Sequence, residues 1–384
     1  MSAGAEFDAA DRGAMQRALE LAERGLHSTD PNPRVGCVIV QGGRTVGEGW
    51  HERAGEAHAE VVALRAAGSE AQGATAYVTL EPCSHVGRTP PCVDALIAAR
   101  VRRVVFAMLD PNPRVHGRGA ERLAAAGIQA AWGLMAEEAA ELNIGFVKRM
   151  LQGTPFVRLK LAMSLDGRTA LASGASRWIT DEEARADVHH WRARSSAILT
   201  GVGTVLADDP RLDVRTSPPP PRQPMRIVLD AELRTPPNAR LFDSAGVVML
   251  FTSSHDRARR EPLELRGARI EHVTDGGDGR LDLTQILKRL AELEVNEVHV
   301  EAGASLAGSL IRSGIVDELL LYVAPILLGP QARPLVDLPL LTELGASPRY
   351  RIVDTRNIGS DLRLRLRPQP LSEDPTCSPA SSRT

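Results

Sequence analysis

Strand-like and helical segments alternate along nearly the whole of this chain, and the alternation begins twice. An amphipathic helix over residues 8–26 places Met15, Ala18, Leu19, Ala22 and Leu26 on one face. Apolar runs at 35–40 and 45–50, separated by Gln41-Gly42-Gly43-Arg44, predict a hairpin. Helices are then expected at 57–67, 91–99, 117–126 and 136–151, with strands at 74–80 and 101–109. Strands joined through helices demand crossover connections, hence a largely parallel sheet with helices on its faces.

The rhythm restarts after Gln152-Gly153-Thr154-Pro155. Strands are expected at 156–163, 197–200, 225–230, 247–251, 297–301 and 318–323, and helices at 284–294 and 305–313. Thr180-Asp181-Glu182-Glu183 reads as a capping box opening a helix through Arg194. Residues 217–222, with four consecutive prolines, form an extended loop, and the Pro/Ser-rich stretch 369–384 reads as a disordered tail. No internal repeat is visible. The chain divides into two α/β domains, residues 1–150 and 154–368, each with its own sheet.

Composition narrows the function. Lys+Arg total 46 against 48 Asp+Glu, a net charge of −2, which disfavours blanket binding to phosphate backbones. Aromatics are only 3%, too few for a platform that stacks single-stranded nucleic acid. Four cysteines in 384 residues cannot build a disulfide scaffold. No run of about 20 apolar residues is present, and the N-terminal segment is acidic rather than a basic signal sequence. A cytoplasmic protein without membrane or nucleic-acid partners is the expectation.

Two of those cysteines carry chemistry. His58-Ala59-Glu60 opens a predicted helix, Pro82-Cys83 follows a predicted strand, and Cys92 comes nine positions later. One imidazole and two thiolates are a ligand set for a catalytic zinc, which keeps its fourth position for water and lowers that water's pKa towards neutrality. Glu60, two residues from a ligand, is placed to take the water's proton and pass it to a departing amine. This H-x-E…P-C order is the signature of zinc deaminases. Cys37 is read as core packing and Cys377 as part of the tail. The second cysteine lies farther off than in a C-x₂-C pair, and the longer loop adds His85 and Arg88, a suitable pair for a phosphorylated substrate or simply a solvated loop.

Pro31-Asn32-Pro33-Arg34-Val35-Gly36, His58-Ala59-Glu60, the stretch from Glu81 to Cys92 and Asp110-Pro111-Asn112-Pro113 together resemble the deaminase domain of the bifunctional riboflavin-biosynthesis deaminase/reductases. The resemblance implies a cytidine-deaminase-like α/β/α fold and hydrolytic deamination of a diaminopyrimidinone bearing a phosphoribosylamino group. It places Asn32, His51, His85 and Arg88 against the pyrimidine or its phosphate. Asp30 departs from the small or aromatic polar residue more usual there, with no evident consequence for the zinc.

The second half has no Gly-x-Gly-x-x-Gly after a strand, so a Rossmann site is not supported. Thr200-Gly201-Val202-Gly203-Thr204 and Glu301-Ala302-Gly303-Ala304-Ser305 are strand ends whose small residues could bring backbone N–H groups to a phosphate or serve tight turns alone. With the stretches 160–168, 176–180 and 208–212, they are similar to the reductase domain of the same family. That likeness implies a dihydrofolate-reductase-like fold using NADPH, which would reduce the ribosyl group to ribityl. It places Ala162, Trp178, Thr204, Asp208 and the segment Gly303, Ala304, Ser305, Leu306, Ala307, Gly308 and Ser309 on the cofactor. Ser176, Arg192, Leu212, Arg215 and Glu301 fall on the substrate, where two guanidinium forks suit a phosphate. Asp166, Asp208 and Glu301 are unranked candidates for the general acid.

The expected enzyme is therefore a homo-oligomer with Zn²⁺ and NADPH, acting on a small phosphorylated pyrimidine. A nucleoside or tRNA deaminase fused to an unrelated α/β domain is the rival enzyme. A binding protein with a structural zinc is the rival of another class, and Glu60 speaks against it, since a structural site needs no adjacent carboxylate.

Overall fold

The computed structural model describes residues 6–85, 90–276 and 279–369, and every element and count below belongs to those residues. Helix α1 (Ala9–Glu23) begins at a capping box in which the Asp8 and Asp11 side chains each accept the other residue's backbone N–H. It leads into β1 (Gly36–Gln41) and β2 (Arg44–Trp50), the expected hairpin, paired from Gly36–Trp50 to Gln41–Arg44. There follow α2 (Ala59–Ala67), β3 (Thr75–Val78), α3 (Cys92–Ala98), β4 (Arg103–Phe106), α4 (Arg118–Ala125) and β5 (Gln129–Trp132). The sheet runs β2-β1-β3-β4-β5, with β3, β4 and β5 parallel and β1 antiparallel to both of its neighbours.

Alternation along the central strands explains the layering. Cys37, Ile39, Ala76, Val78, Val104 and Phe106 face α2, α3 and α4, whereas Val38, Tyr77 and Val105 face α1 and the segment around Ala139. Both faces are covered, and Cys37 is fully buried in the first of these layers.

The single helix expected at 136–151 is two, α5 (Ala136–Leu142) and α6 (Ile144–Gln152). Asn143 is the reason. Its side-chain oxygen accepts from the Arg34 backbone N–H at 2.7 Å and its amide donates to the Arg34 carbonyl at 2.9 Å, so the helix breaks where that amide turns to the loop.

The second half comprises β6 (Phe156–Ser164), β7 (Arg168–Ala170), α7 (Glu182–Arg194), β8 (Ala197–Gly201), α8 (Val202–Asp208), β9 (Met225–Leu229), β10 (Val248–Thr252), α9 (Arg257–Leu265) and β11 (Ala268–His272). It continues through α10 (Leu283–Glu292), β12 (Glu297–Glu301), α11 (Ala304–Arg312), β13 (Glu318–Ala324), β14 (Arg333–Pro334), β15 (Tyr350–Ile358) and β16 (Asp361–Pro368). The large sheet is ordered β11-β10-β9-β8-β12-β6-β13-β16-β15. Its first seven strands are parallel, and β16 and β15 close one side as an antiparallel hairpin. Strands β7 and β14 pair separately.

Helices α10 and α11 pack on one face through Ile286, Leu290, Ala307 and Leu310, against Leu159, Leu199, Ile227 and Val300. Helix α7 lies on the other, with Val188 and Trp191 against Leu320 and Tyr322. The cap of α7 is Asp181 rather than Thr180, its carboxylate accepting from the Ala184 N–H. Hairpin β15–β16 was not anticipated. Its inward face is the arginine face: Arg363 pairs with Asp187, Arg365 and Arg367 pair with Glu318, and Arg363 and Arg365 also lie over Trp191.

Candidate active centres

The first centre assembles at the amino ends of two helices. His58 is the N-cap of α2 in extended conformation; its side chain makes no capping bond to the helix, and the imidazole faces the cysteines. Cys92 opens α3 and Cys83 follows the turn after β3. His58 Nδ1 lies 3.1 Å from Cys92 Sγ and 3.6 Å from Cys83 Sγ, and the three ligand atoms all fall within 4.8 Å of one another. Donors from separate elements converge on one point, in the nitrogen and sulfur mixture that zinc takes in catalytic sites. The residues fit the metal.

Glu60 stands in the first turn of α2 and is only 3% exposed. Burial, with the Cys83 thiolate adding to it, pushes its carboxyl up to about 7. Hydrogen bonds from Cys92 and His58 hold the Cys83 thiol well below its ordinary range in spite of burial. His51 is buried beside His58, the two rings edge-on with centroids 5.2 Å apart, and its Nε2 lies 3.0 Å from the Asn32 amide nitrogen. The structure thus brings Asn32 and His51 to the cluster. His85 is exposed at the edge of the cysteine loop, and Arg88 lies outside the described residues.

Glu81 stands outside the residues expected at the site. It is buried and accepts backbone N–H bonds from Asp110, Gly117, Gly119 and Ala120, tying the 110–120 loop beneath Pro82-Cys83. Gly119 permits that approach, since a Cβ there would stand 2.4 Å from the Pro82 carbonyl oxygen. The signal was available: an acidic residue directly ahead of Pro-Cys, and a glycine pair downstream.

The second centre is a cleft of about 1310 Å³ at the carboxyl ends of the central parallel strands. Here β12 has inserted between β8 and β6, and the chain leaves β8 towards β9, a change of direction that opens a crevice in such sheets. Among the expected cofactor residues, Ala162, Trp178, Thr204, Asp208, Gly303, Ala304, Ser305, Leu306 and Ser309 line it. Ala307 and Gly308 do not: Ala307 is buried in the core, and a Cβ on Gly308 would meet the Asp337 carbonyl at 2.0 Å. Trp178 is 68% exposed, with the Arg185 guanidinium 4.5 Å from its ring centroid.

Ser176, Arg192, Leu212, Arg215 and Glu301 line the same cleft. Arg192 gives Nε and Nη2 to Glu301 at 2.5 and 2.9 Å and Nη1 to the Asp213 carbonyl at 2.8 Å. Leu212 holds a left-handed φ of 51°, rare for a bulky residue and found where a site imposes its own geometry. Lys160, at the floor, was not singled out from sequence; burial lowers its pKa, and Glu301 partly restores it. Of the three acid candidates, Asp208 and Glu301 reach the cleft. Asp166 instead anchors a turn, accepting from Ser164 Oγ and from the backbone N–H groups of Leu328 and Gly329. Arg177, Arg211, Arg234, Arg240, Arg280 and Arg333 complete a cationic wall. The volume exceeds that of a drug-sized ligand site, and the charge suits a phosphorylated dinucleotide lying beside a phosphorylated substrate.

Residues 9–108 match the cytidine and deoxycytidylate deaminase zinc-binding region, and residues 155–364 match the RibD C-terminal domain. The riboflavin biosynthesis protein RibD of Escherichia coli (strain K12) is 52% identical over 368 residues, covering 93% of this chain and 99% of that protein. Its counterpart from Haemophilus influenzae is 48% identical, covering 95% and 99%. Acinetobacter baumannii RibD superposes with a TM-score of 0.87 at 45% identity, covering 94% of this chain and 99% of that one. A diaminohydroxyphosphoribosylaminopyrimidine deaminase/5-amino-6-(5-phosphoribosylamino)uracil reductase from Thermotoga maritima superposes with a TM-score of 0.82 at 32% identity and the same coverage. The chain belongs to the RibD family of riboflavin-biosynthesis proteins and is a bifunctional enzyme, a zinc-dependent deaminase joined to an NADPH-dependent reductase.

Proposed function

We propose that residues 1–150 carry the deaminase reaction, at His58, Cys83, Cys92 and Glu60, and that residues 154–368 carry the reduction, in the cleft between Lys160 and Ser309. The observation that carries the first assignment is the convergence of three ligand atoms within 4.8 Å beside a buried carboxylate. His58, Cys83 and Cys92 would hold the zinc, which when bound supplies the Lewis acidity that makes a water acidic near neutral pH. Glu60 takes a proton from the attacking water and delivers one to the departing amine, so the ring carbon exchanges its amino group for oxygen and ammonia leaves. Asn32 and His51 orient the pyrimidine.

In the cleft, NADPH when bound supplies a hydride to the ribosyl anomeric carbon, and the ring opens to a ribityl chain once its oxygen gains a proton. Trp178, Thr204 and the Gly303–Leu306 turn hold the cofactor; Arg192 and Arg215 hold the substrate, with Glu301 fixing the Arg192 fork. His85 and Arg88 serve the phosphate at the first centre.

The chain works in the cytoplasm, where two metal-binding thiols stay reduced. It forms a homo-oligomer. Strand β15 has no outer partner among the described residues, and Ile352 on it is 60% exposed, an open edge that a second copy would cover. Purified protein given the diaminopyrimidinone, with ammonia release and NADPH oxidation followed separately, tests the two assignments. Ammonia release without NADPH, and NADPH oxidation only after deamination, are expected. Light scattering tests the assembly.

A further inference from the structure

The loop that brings Asn32 to the first centre is held by the second sheet. Asn296, just ahead of β12, spends its whole side-chain amide on this contact: Nδ2 donates to Asp30 Oδ1 at 3.0 Å and to the Pro31 carbonyl at 2.9 Å, and its oxygen accepts from Arg149 Nε at 2.7 Å. Ser196, just ahead of β8, donates from Oγ to Asp30 Oδ1 at 2.7 Å and accepts the backbone N–H groups of Asn296 and Glu297 at 2.8 and 3.1 Å. Both residues are buried, 5% and 7% exposed. Beyond Pro31 comes Asn32, whose amide touches His51, whose ring abuts His58. Asp30, the departure from the usual residue type, is the acceptor on which Asn296 and Ser196 converge.

We propose that Asn296 and Ser196 are positioning residues for deamination. They belong by sequence to the reductase half, do not line its cleft, and fix the 30–34 loop so that the Asn32 amide meets the pyrimidine in one orientation. The inference rests on the reading of Asn32 as a substrate-facing residue. Its physical basis is that buried, fully used hydrogen-bonding groups leave a loop one arrangement, whereas removing one partner strands a buried acceptor and lets the loop shift. A shift of about 1 Å at a group that orients the substrate is enough to lower kcat/KM by about a hundredfold.

The full-length, zinc-loaded enzyme tests this with four variants: Asn32→Ala, Asn296→Ala, Ser196→Ala and Ser196→Thr. Asn32→Ala, Asn296→Ala and Ser196→Ala are each expected to raise the KM of deamination by about ten- to a hundredfold while kcat stays within about threefold. Reduction of the deaminated intermediate should stay within about twofold of wild type, since the altered groups lie outside that cleft. Ser196→Thr keeps the hydroxyl and should restore the KM. An unchanged KM in both Asn296→Ala and Ser196→Ala, with Asn32→Ala impaired, overturns the positioning role and leaves the site reading standing. An unimpaired Asn32→Ala enzyme overturns the site reading, and the positioning role with it. Parallel loss of both activities in the Asn296 and Ser196 variants, unrelieved in Ser196→Thr, shows a general structural role and likewise overturns the proposal.

Discussion

The Arg34 guanidinium lies 2.9 Å from the Glu297 carboxylate, and both side chains are buried where the first half of the chain meets the start of β12. Glu297 also receives Arg158 at 2.8 Å and Arg194 at 3.0 Å, while Arg158 reaches on to Glu318 at 2.7 Å and Glu318 to Arg365 at 2.7 Å. Burying so many charges is costly, and the arrangement persists because each finds partners of opposite sign. Removal of one member should therefore harm more than its own contacts suggest.

Glu318 sets a pH window. Burial alone would raise its carboxyl, but Arg158 and Arg365 outweigh burial and bring it down to about 2, against an ordinary 4.5. A depressed carboxyl stabilises the fold fully above its unfolded pKa and loses that contribution as pH falls through its folded one. Stability should decline between pH 4.5 and 2 in the wild type. In Glu318→Gln that decline should be shallower, and stability at pH 7 lower by about 3–5 kcal/mol because Arg158 loses one of its two carboxylate partners. Urea unfolding across the acid range checks both.

Glu60→Gln retains shape and burial but cannot carry the proton. Deamination should fall by about 10²–10⁴-fold, while zinc content and NADPH-dependent reduction of the deaminated intermediate stay as in the wild type. Ammonia release at the normal rate from the Glu60→Gln enzyme would remove Glu60 from the mechanism.

Chelation separates the two centres. Stripping the metal should abolish ammonia release and leave reduction of the deaminated intermediate intact, with added zinc restoring the first activity. Cys83→Ser, which replaces a thiolate by a poor zinc ligand, should behave as the stripped enzyme does.

Trp178 offers an optical readout. It stands exposed at the mouth of the cleft, where a reduced nicotinamide would come near enough to accept its excitation. NADPH should quench part of the tryptophan emission in the wild type. Trp178→Phe, keeping an aromatic face, should remove most of that quench, although three tryptophans remain.

How much of this could be read beforehand depends on the range of the interaction. The clustering of His58, Cys83 and Cys92 was legible because a metal-ligand set has residue types and local spacing that little else requires, and Glu60 stands two positions from the first of them. The strands of the large sheet were legible where apolar runs are unbroken, as at 247–251. Asn143 hid its effect, since the partner that breaks the helix is Arg34, more than a hundred residues away. Hairpin β15–β16 hid its orientation: the leucines of Leu362-Arg363-Leu364-Arg365-Leu366-Arg367 look like the core face, yet the arginines point inward because Asp187, Glu141 and Glu318 await them. The Asn296–Asp30 contact spans 266 positions and joins two polar residues that no pattern links.

Strand β12 meets the 30–34 loop at one end and the reductase cleft at the other. Glu297 pairs with Arg34, and Asn296 before it holds Asp30 and Pro31, whereas Glu301 belongs to the wall of the reductase cleft. At about 3.3 Å per residue, four steps of an almost inextensible ribbon separate them. The gap between that loop and the cleft is thus ruled off in peptide units rather than left to a hinge. Adding or deleting a single residue in β12 would shift the ruler and turn its side chains to the opposite face of the sheet, so that length and phase would be lost together.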